Sequence, residues 1–362
     1  MKYYCHKSVV LLVLFFVAIT PTLAIDSGQV VGRNIYGLAT DYRNDPVMME
    51  ERPLIYESSR FEQVVNINDQ PFLVSGFDHS IGAIYISYLD KETKIPLDTV
   101  SVNSESIGGV SSPVTAVLSE WNSVLFSEGG IIDSKQPDDF KNKYSAYYKG
   151  NTDLVNPYNY GWLSEVIILD IKGQAKVIKN YAVGRLFADS VLMMPDGKTF
   201  YTLDVNGSGN FYMFVAEQRN SLAKGTIYIV GKKDGRIVHT PLGETSALKM
   251  KFKLRKMAFN KLFKVGEVKD KQCEKPYEYI TTIYGEECLK INKKNRKYAG
   301  LFEPIRLAAL KKAPFFESEL VSMRFDPDSQ RIFFQKGDQS EFSVTLGRDT
   351  QFDSQYVIRE MP

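Results

Sequence analysis

"YTLDVNGSGNFYMFVAEQ", residues 201–218, admits two readings. Asp204, Asn206 and Ser208 alternate along a Gly-rich turn, as oxygen ligands do in a calcium loop. Yet aromatic and apolar residues flank the turn on both sides, as in a β-hairpin. A helix-hand calcium loop needs a bidentate Glu at its twelfth position. Counted from Asp204 that position is Val215, and residues 211–215 alternate as a strand does. The stretch therefore reads as a hairpin with residues 206–209 at its tip. Asp204 is left with two roles: capping its own turn, or serving as one ligand of a site assembled from distant segments.

The same punctuation recurs along the chain. "PFLVSGFDHSIGAIYISYLD" (71–90) gives two β-rich runs with a Gly turn, and "GWLSEVIILDIKGQAKVIKNYAVG" (161–184) gives another pair broken at Lys172 and Gly173. "VLMMPDGKTFYTLDVNGSGNFYMFVA" (191–216) alternates strand and turn three times. "GTIYIVGKKDGRIVHTPL" (225–242) and "MRFDPDSQRIFFQKGDQSEFSVTL" (323–346) repeat the pattern. Apolar β-branched and aromatic residues at alternate positions, with Asp-Gly or Asn-Gly turns every 8–12 residues, predict an all-β protein. The recurring turn-then-aromatic-strand unit suggests the blades of a β-propeller, with a two-sheet sandwich as the competing architecture. Two segments differ. Residues 133–156 are polar and read as a surface insertion. Residues 249–312 are mixed and basic; within them Lys249, Lys251, Lys253 and Arg255 alternate with Met250, Phe252 and Leu254. That alternation predicts a strand with one charged face, either a solvated edge protected by lysines or a rim that attracts anions.

Of the 362 residues, the first 24 read as a secretory signal peptide: Lys2 and Lys7, an apolar run over 9–19, and the small-residue site Thr22-Leu23-Ala24 with cleavage after Ala24. A retained anchor is the competing reading, but the run is short of the roughly 20 apolar residues a spanning helix needs. No twin arginine precedes the run, which points to general secretion of an unfolded chain to a periplasmic or extracellular site. Residues 25–362 then form a single β-propeller domain. Losing Lys2 and Lys7 takes the formal charge from +2 to 0, so nothing global argues for nucleic acid, and no membrane association is expected after cleavage. Cys273 and Cys288 are expected to pair in an oxidising compartment. With three His in the chain, a His-rich zinc site is excluded, and no Ser lies in a nucleophile-elbow pattern.

"YNYGWLSEV" (158–166), "AVGRLFADS" (182–190), "DGKTFYTLD" (196–204), "NFYMFV" (210–215) and "AKGTIYIVGKKDG" (223–235) follow one another in an order that resembles the secreted PhoX-type alkaline phosphatase family. Weaker matches lie at "SSPVTAVLSEWNSVLFSEGG" (111–130) and "FFESELVSMRFDPDSQRIFF" (315–334). The resemblance spans about residues 50–345. It implies a six-bladed propeller whose channel holds a calcium cluster, with iron in the characterised type, and which hydrolyses small phosphate esters as a monomer. Carried over by position, Glu128, Glu165, Asp189, Asp204 and Glu319 become candidate metal ligands and Arg185 the candidate phosphate clamp. Carboxylates from several strand ends would supply the six to eight oxygens calcium takes. The metals would neutralise phosphate while an arginine gripped it in two places.

The chain also departs from the family. Ala188-Asp189 stands where the family has His-Glu, Glu128-Gly129 where it has Glu-Glu, and Glu317-Ser318-Glu319-Leu320 where it has Arg-Pro-Glu-Gly. No cysteine of residues 25–362 precedes Cys273, which argues against a thiolate-held iron. Two functions follow: a calcium-dependent phosphoric-ester hydrolase, or a catalytically degenerate propeller that binds a ligand or partner.

Overall fold

Thr199–Asp204 and Phe211–Ala216 pair antiparallel, with Leu203 opposite Phe211 and Phe200 opposite Phe214. The hairpin reading of this stretch is correct. The computed structural model describes residues 59–78, 82–204, 210–314 and 320–348, plus backbone pairing at a few strand positions outside them; of Asp139, Lys143 and Arg348 only the backbone is described. The expectations for residues 1–24, for the tip at 206–209 and for Glu319 lie outside the described residues.

Four antiparallel meanders, each with strands in chain order, make up most of the described structure. The first contains Phe61–Ile67, Gln70–Phe77, Ala83–Leu89 and Pro96–Ser101. The second contains Pro113–Leu118, Val124–Glu128, Leu163–Ile168 and Ala175–Lys179. The third has five strands: Ala188–Met193, Thr199–Asp204, Phe211–Ala216, Lys224–Lys233 and Arg236–Ser246. The fourth contains Leu320–Asp326, Arg331–Lys336, Glu341–Arg348 and Tyr356–Glu360. The first strand of each sheet packs beside the first strand of the next, the neighbour relation of propeller blades.

The sheets stack through their faces. On one side of the third sheet, Phe200, Tyr212, Phe214, Ile227 and Ile229 join Leu125 and Leu163 of the second. On the other, Tyr201, Phe211 and Met213 meet Ile332, Phe334 and Val344 of the fourth. Phe211 stacks on Tyr201 with centroids 5.1 Å apart and meets Phe334 edge-on at 5.0 Å. Both faces are therefore covered, which is why these strands read as continuous apolar runs rather than strict alternation. Each buried aromatic or aliphatic side chain contributes about 1.5–3 kcal/mol.

Residues 247–312 leave the β pattern. Helices α2 (Ala247–Leu254), α3 (Phe259–Leu262), α4 (Arg296–Phe302) and α5 (Pro304–Leu310) surround a small sheet in which Gly285–Ile291 lies between Phe263–Gly266 and Glu278–Thr282. The charged strand expected at residues 249–255 is in fact α2. Ser246 ends the preceding strand and caps the helix, its hydroxyl accepting from the Lys249 N–H. Met250 and Leu254, four apart, enter the core, while Phe252 turns outward. The residue sequence fits either period; the core docking of 250 and 254 selects the helical one.

The segment at residues 133–156 is also more than a surface insertion. Helix α1 (Pro137–Tyr144) and the turns after it bury Phe140, Tyr144, Tyr147 and Tyr148. Phe140 and Tyr144 pack on Tyr160 with centroids 5.5 and 4.7 Å away. Tyr147 lies so close to Gly109 (φ +88°) that a Cβ there would sit 2.4 Å from the ring.

Cys273 and Cys288 form a disulfide across a separation of 15 residues. Closing a loop of that length restricts the unfolded chain by about 3 kcal/mol. Replacing both cysteines with serine is expected to lower unfolding stability by about that amount in urea titration. An unchanged midpoint would show that the bond adds nothing.

Candidate functional site

Glu128 ends its strand where a register shift interrupts the ladder, and it is wholly buried. A buried carboxylate needs compensation, and this one has it fourfold. It accepts from the backbone N–H groups of Ser111 (3.3 Å), Gly161 (2.9 Å) and Trp162 (3.1 Å), and Lys179 Nζ lies 2.9 Å from its Oε1. Lys179 also donates to the Asn159 carbonyl at 2.6 Å. Burial pushes the Glu128 carboxyl up and the Lys179 amine down, and their mutual attraction works against both shifts. Gly161 is required here: its φ is +86° and a Cβ would lie 2.5 Å from the Phe187 ring.

Glu165, opposite Leu125 in the second sheet, accepts from Trp121 Nε1 (2.7 Å), Ser123 Oγ (2.6 Å) and Asn180 Nδ2 (3.2 Å). All three donors are uncharged. Trp121 and Ser123 lie in the turn between the first two strands and Asn180 follows the fourth, so Glu165 ties both segments to the third strand.

Arg185 is 1% exposed. Its Nε donates to the Tyr160 carbonyl at 2.9 Å, and Nη2 donates to the carbonyls of Ile132 (2.9 Å) and Pro157 (3.2 Å). Nη1 faces Glu303 at 3.6 Å, and the rings of Phe187 and Tyr158 flank the guanidinium at 4.4 and 5.1 Å. Every edge of the fork is directed at protein.

Glu303 leads to the residues that sequence reasoning missed. It stands between α4 and α5 and is 2% exposed. Tyr158 donates to it at 2.9 Å, Ser134 donates to it as well, and Arg306 Nη1 lies 2.9 Å from its Oε2. Arg306 also makes a two-point contact with Glu287 (2.7 and 3.1 Å) and reaches Asp133 at 2.8 Å, while Lys135 meets Glu287 at 3.0 Å. The Tyr284 ring lies 3.9 Å from the Arg306 guanidinium. Burial opposes the Arg306 charge, but the three carboxylates outweigh it and hold the group above its ordinary value. Burial, with Glu303 adding to it, pushes the Tyr158 phenol well up. The sequence signal was a Glu and an Arg three apart in the apolar "AGLFEPIRLAAL", a pattern that helical pairing explains.

Asp189 and Asp204 are brought close together. Asp204 pairs with Ala188 across the ladder, and Asp189 lies in the bulge that follows. Asp204 is buried and accepts from Asn210 Nδ2 at 2.6 Å; Asp189 is half-buried. Glu128, Glu165 and Arg185 are engaged elsewhere, as given above. A cavity lined by Ser127, Gly161, Trp162, Phe187 and Thr202 has space for about one water. The Ser127 and Thr202 hydroxyls have no hydrogen-bond partner among the described residues.

Among the described residues, no three His, Cys, Asp or Glu side chains are grouped so as to hold a metal ion. Asp133, Glu287 and Glu303 do converge, but on a guanidinium. An ammonium already neutralises Glu128, and Glu165 is filled by neutral donors, so these two carboxylates do not fit a calcium cluster needing six to eight oxygens. The thiols of Cys273 and Cys288 are consumed by their disulfide, so they do not fit iron either.

No protein-family profile matches the chain, and no curated protein matches it. Solved structures similar to it include Pseudomonas fluorescens PhoX in complex with vanadate, at 10% identity and a TM-score of 0.45, covering 88% of this chain and 70% of that one. Also similar is a proposed 6-phosphogluconolactonase from Bacteroides uniformis, at 10% identity and a TM-score of 0.27, covering 85% of each chain. The β-propeller domain of Myceliophteria thermophila Cps50 (Swd1) follows, at 10% identity and a TM-score of 0.28, covering 83% of this chain and 70% of that one.

Breaking a buried ion pair on one side leaves a stranded charge. Lys179→Met is expected to cost roughly 3–5 kcal/mol. Adding Glu128→Gln should return part of that loss, a coupling of about 1 kcal/mol or more in a double-mutant cycle read by urea denaturation. Additive losses would mean that the pair does not interact.

Proposed function

We propose that this protein is a β-propeller that binds a ligand or partner and has given up the metal-dependent phosphoryl chemistry of the family it resembles. The observation that carries this reading is the internal use of Arg185. A phosphate clamp needs two N–H groups free to face the ester, and here they face the carbonyls of Tyr160, Ile132 and Pro157. Glu128 supports it, since its countercharge comes from Lys179. In this reading the four meanders are blades of a propeller, and residues 247–312 pack on the face of the third sheet that meets the second. Asp189 and Asp204 are what a hydrolase reading keeps among the described residues. The Cys273–Cys288 disulfide supports action in an oxidising compartment, periplasmic or extracellular.

Hydrolysis of a chromogenic phosphate ester, measured with calcium and with chelator, tests the proposal. No calcium-dependent turnover is expected, and chelator should leave the melting temperature unchanged. Arg185→Ala should lower stability by roughly 1–3 kcal/mol, because it leaves the three buried carbonyls of Tyr160, Ile132 and Pro157 without their donor while Glu303 keeps Arg306. Turnover that chelator removes, calcium restores and Arg185→Ala abolishes would establish the hydrolase instead.

A further inference from the structure

Charge is unevenly shared along this chain. Residues 247–312 hold 18 Lys and Arg against 7 Asp and Glu, within a chain totalling 45 against 43. The rest is therefore acidic, and the α/β segment carries the excess of positive charge.

Helix α2 concentrates it. Met250 and Leu254 occupy its core-facing side. Leu248 and Phe252, also four apart, stand on the other side at 66% and 72% exposure, the most exposed of the large apolar side chains among the described residues. No core demands apolar residues there. On a helical wheel Lys251 and Arg255 flank this ridge on one side, and Lys249, Lys253 and Lys256 flank it on the other; all five are exposed. The basic surface continues onto the next elements. Lys253 and Lys297 both lie over the Tyr298 ring, at 5.5 and 5.2 Å. The Asn295 side chain donates to the Lys261 carbonyl at 2.9 Å. Lys293, Lys294 and Arg296, all exposed, thus belong to the same neighbourhood.

We infer that α2 docks this protein onto an anionic lipid surface, with Leu248 and Phe252 entering the headgroup boundary and the lysines meeting lipid phosphates. A protruding apolar ridge between two basic rows is the arrangement of an interfacial helix, in which apolar insertion and attraction to anionic headgroups add. A nucleic acid would meet the charge but leave the ridge unused. A small free anion would use neither the ridge nor the breadth of the patch. The inference does not depend on whether the propeller hydrolyses anything.

Co-sedimentation of the full chain with vesicles tests it. The wild type is expected to bind vesicles with about one-third phosphatidylglycerol, to bind pure phosphatidylcholine poorly, and to be released by high salt. Leu248→Ser with Phe252→Ser, and separately Lys251→Glu with Lys256→Glu, should each weaken binding roughly tenfold. The apolar run at residues 9–19 is common to all these chains, so the differences between them report α2. Phe252→Trp supplies an optical readout whose emission should shift to the blue on anionic vesicles. Equal binding by wild type and both double variants, equal binding to neutral vesicles, or no blue shift would overturn the inference. Capture by nucleic acid in place of vesicles would do the same.

Discussion

Glu303 must satisfy two buried guanidinium groups at once, and the described fold is organised round that demand. Arg185 reaches it from the turn between the second and third sheets, and Arg306 reaches it from α5. Neither cation is tolerable in the interior alone, since an uncompensated buried charge costs several kcal/mol. Because their common partner sits where α4 gives way to α5, the α/β segment cannot pack without completing the electrostatics of the sheets. Ser134 and Tyr158 bond to the same carboxylate, which ties residues 133–156 to that junction as well. A segment that looks like an insertion in the sequence is thus part of one charge-balanced interior.

The balance has a functional consequence. Asp133, Glu287 and Glu303 face Arg306, Arg185 and Lys135, three charges of each sign, and Glu128 faces Lys179. A site that must grip a phosphate or a divalent cation keeps some of its charge uncompensated until the ligand arrives. Round Glu303, Glu287, Asp133 and Glu128 the fixed ammonium and guanidinium groups provide that compensation permanently, while Glu165 is met by neutral donors. Such an interior supports the proposed scaffold reading, and the exposed ridge of α2 among its lysines is the surface feature on which the lipid proposal rests.

The large aromatic side chains explain how so much charge is accommodated. Trp162, Tyr158, Phe187, Phe259 and Tyr284 pack against the cations or beside them. Ring faces offer a guanidinium a favourable electrostatic surface without competing for its N–H groups. The same residues exclude water, so the ion pairs act at low dielectric and hold their geometry closely.

How much of this was legible in the sequence differs by level. The strand-rich architecture was written locally: the aromatic and apolar runs "TFYTLD" and "FYMFVA", and turns at Asp196-Gly197 and Asp234-Gly235, specify hairpin strands, and Thr199–Asp204 pairs with Phe211–Ala216. The disulfide was expected from the cysteine count together with the secretory reading of residues 1–24, and Cys273 and Cys288 do pair. By contrast, "KMKFKLRK" at residues 249–256 satisfies a strand period and a helix period equally, and only the burial of Met250 and Leu254 decides between them. The family resemblance carried Glu128, Glu165, Asp189, Asp204 and Arg185 over as candidate site residues, but could not say what each would face. Partners such as Lys179 for Glu128, or three carbonyls for Arg185, come from segments up to 53 residues away. A side chain's chemistry is fixed by its type, whereas its use depends on which neighbours share its desolvated volume, and that is set when the sheets and the α/β segment pack together.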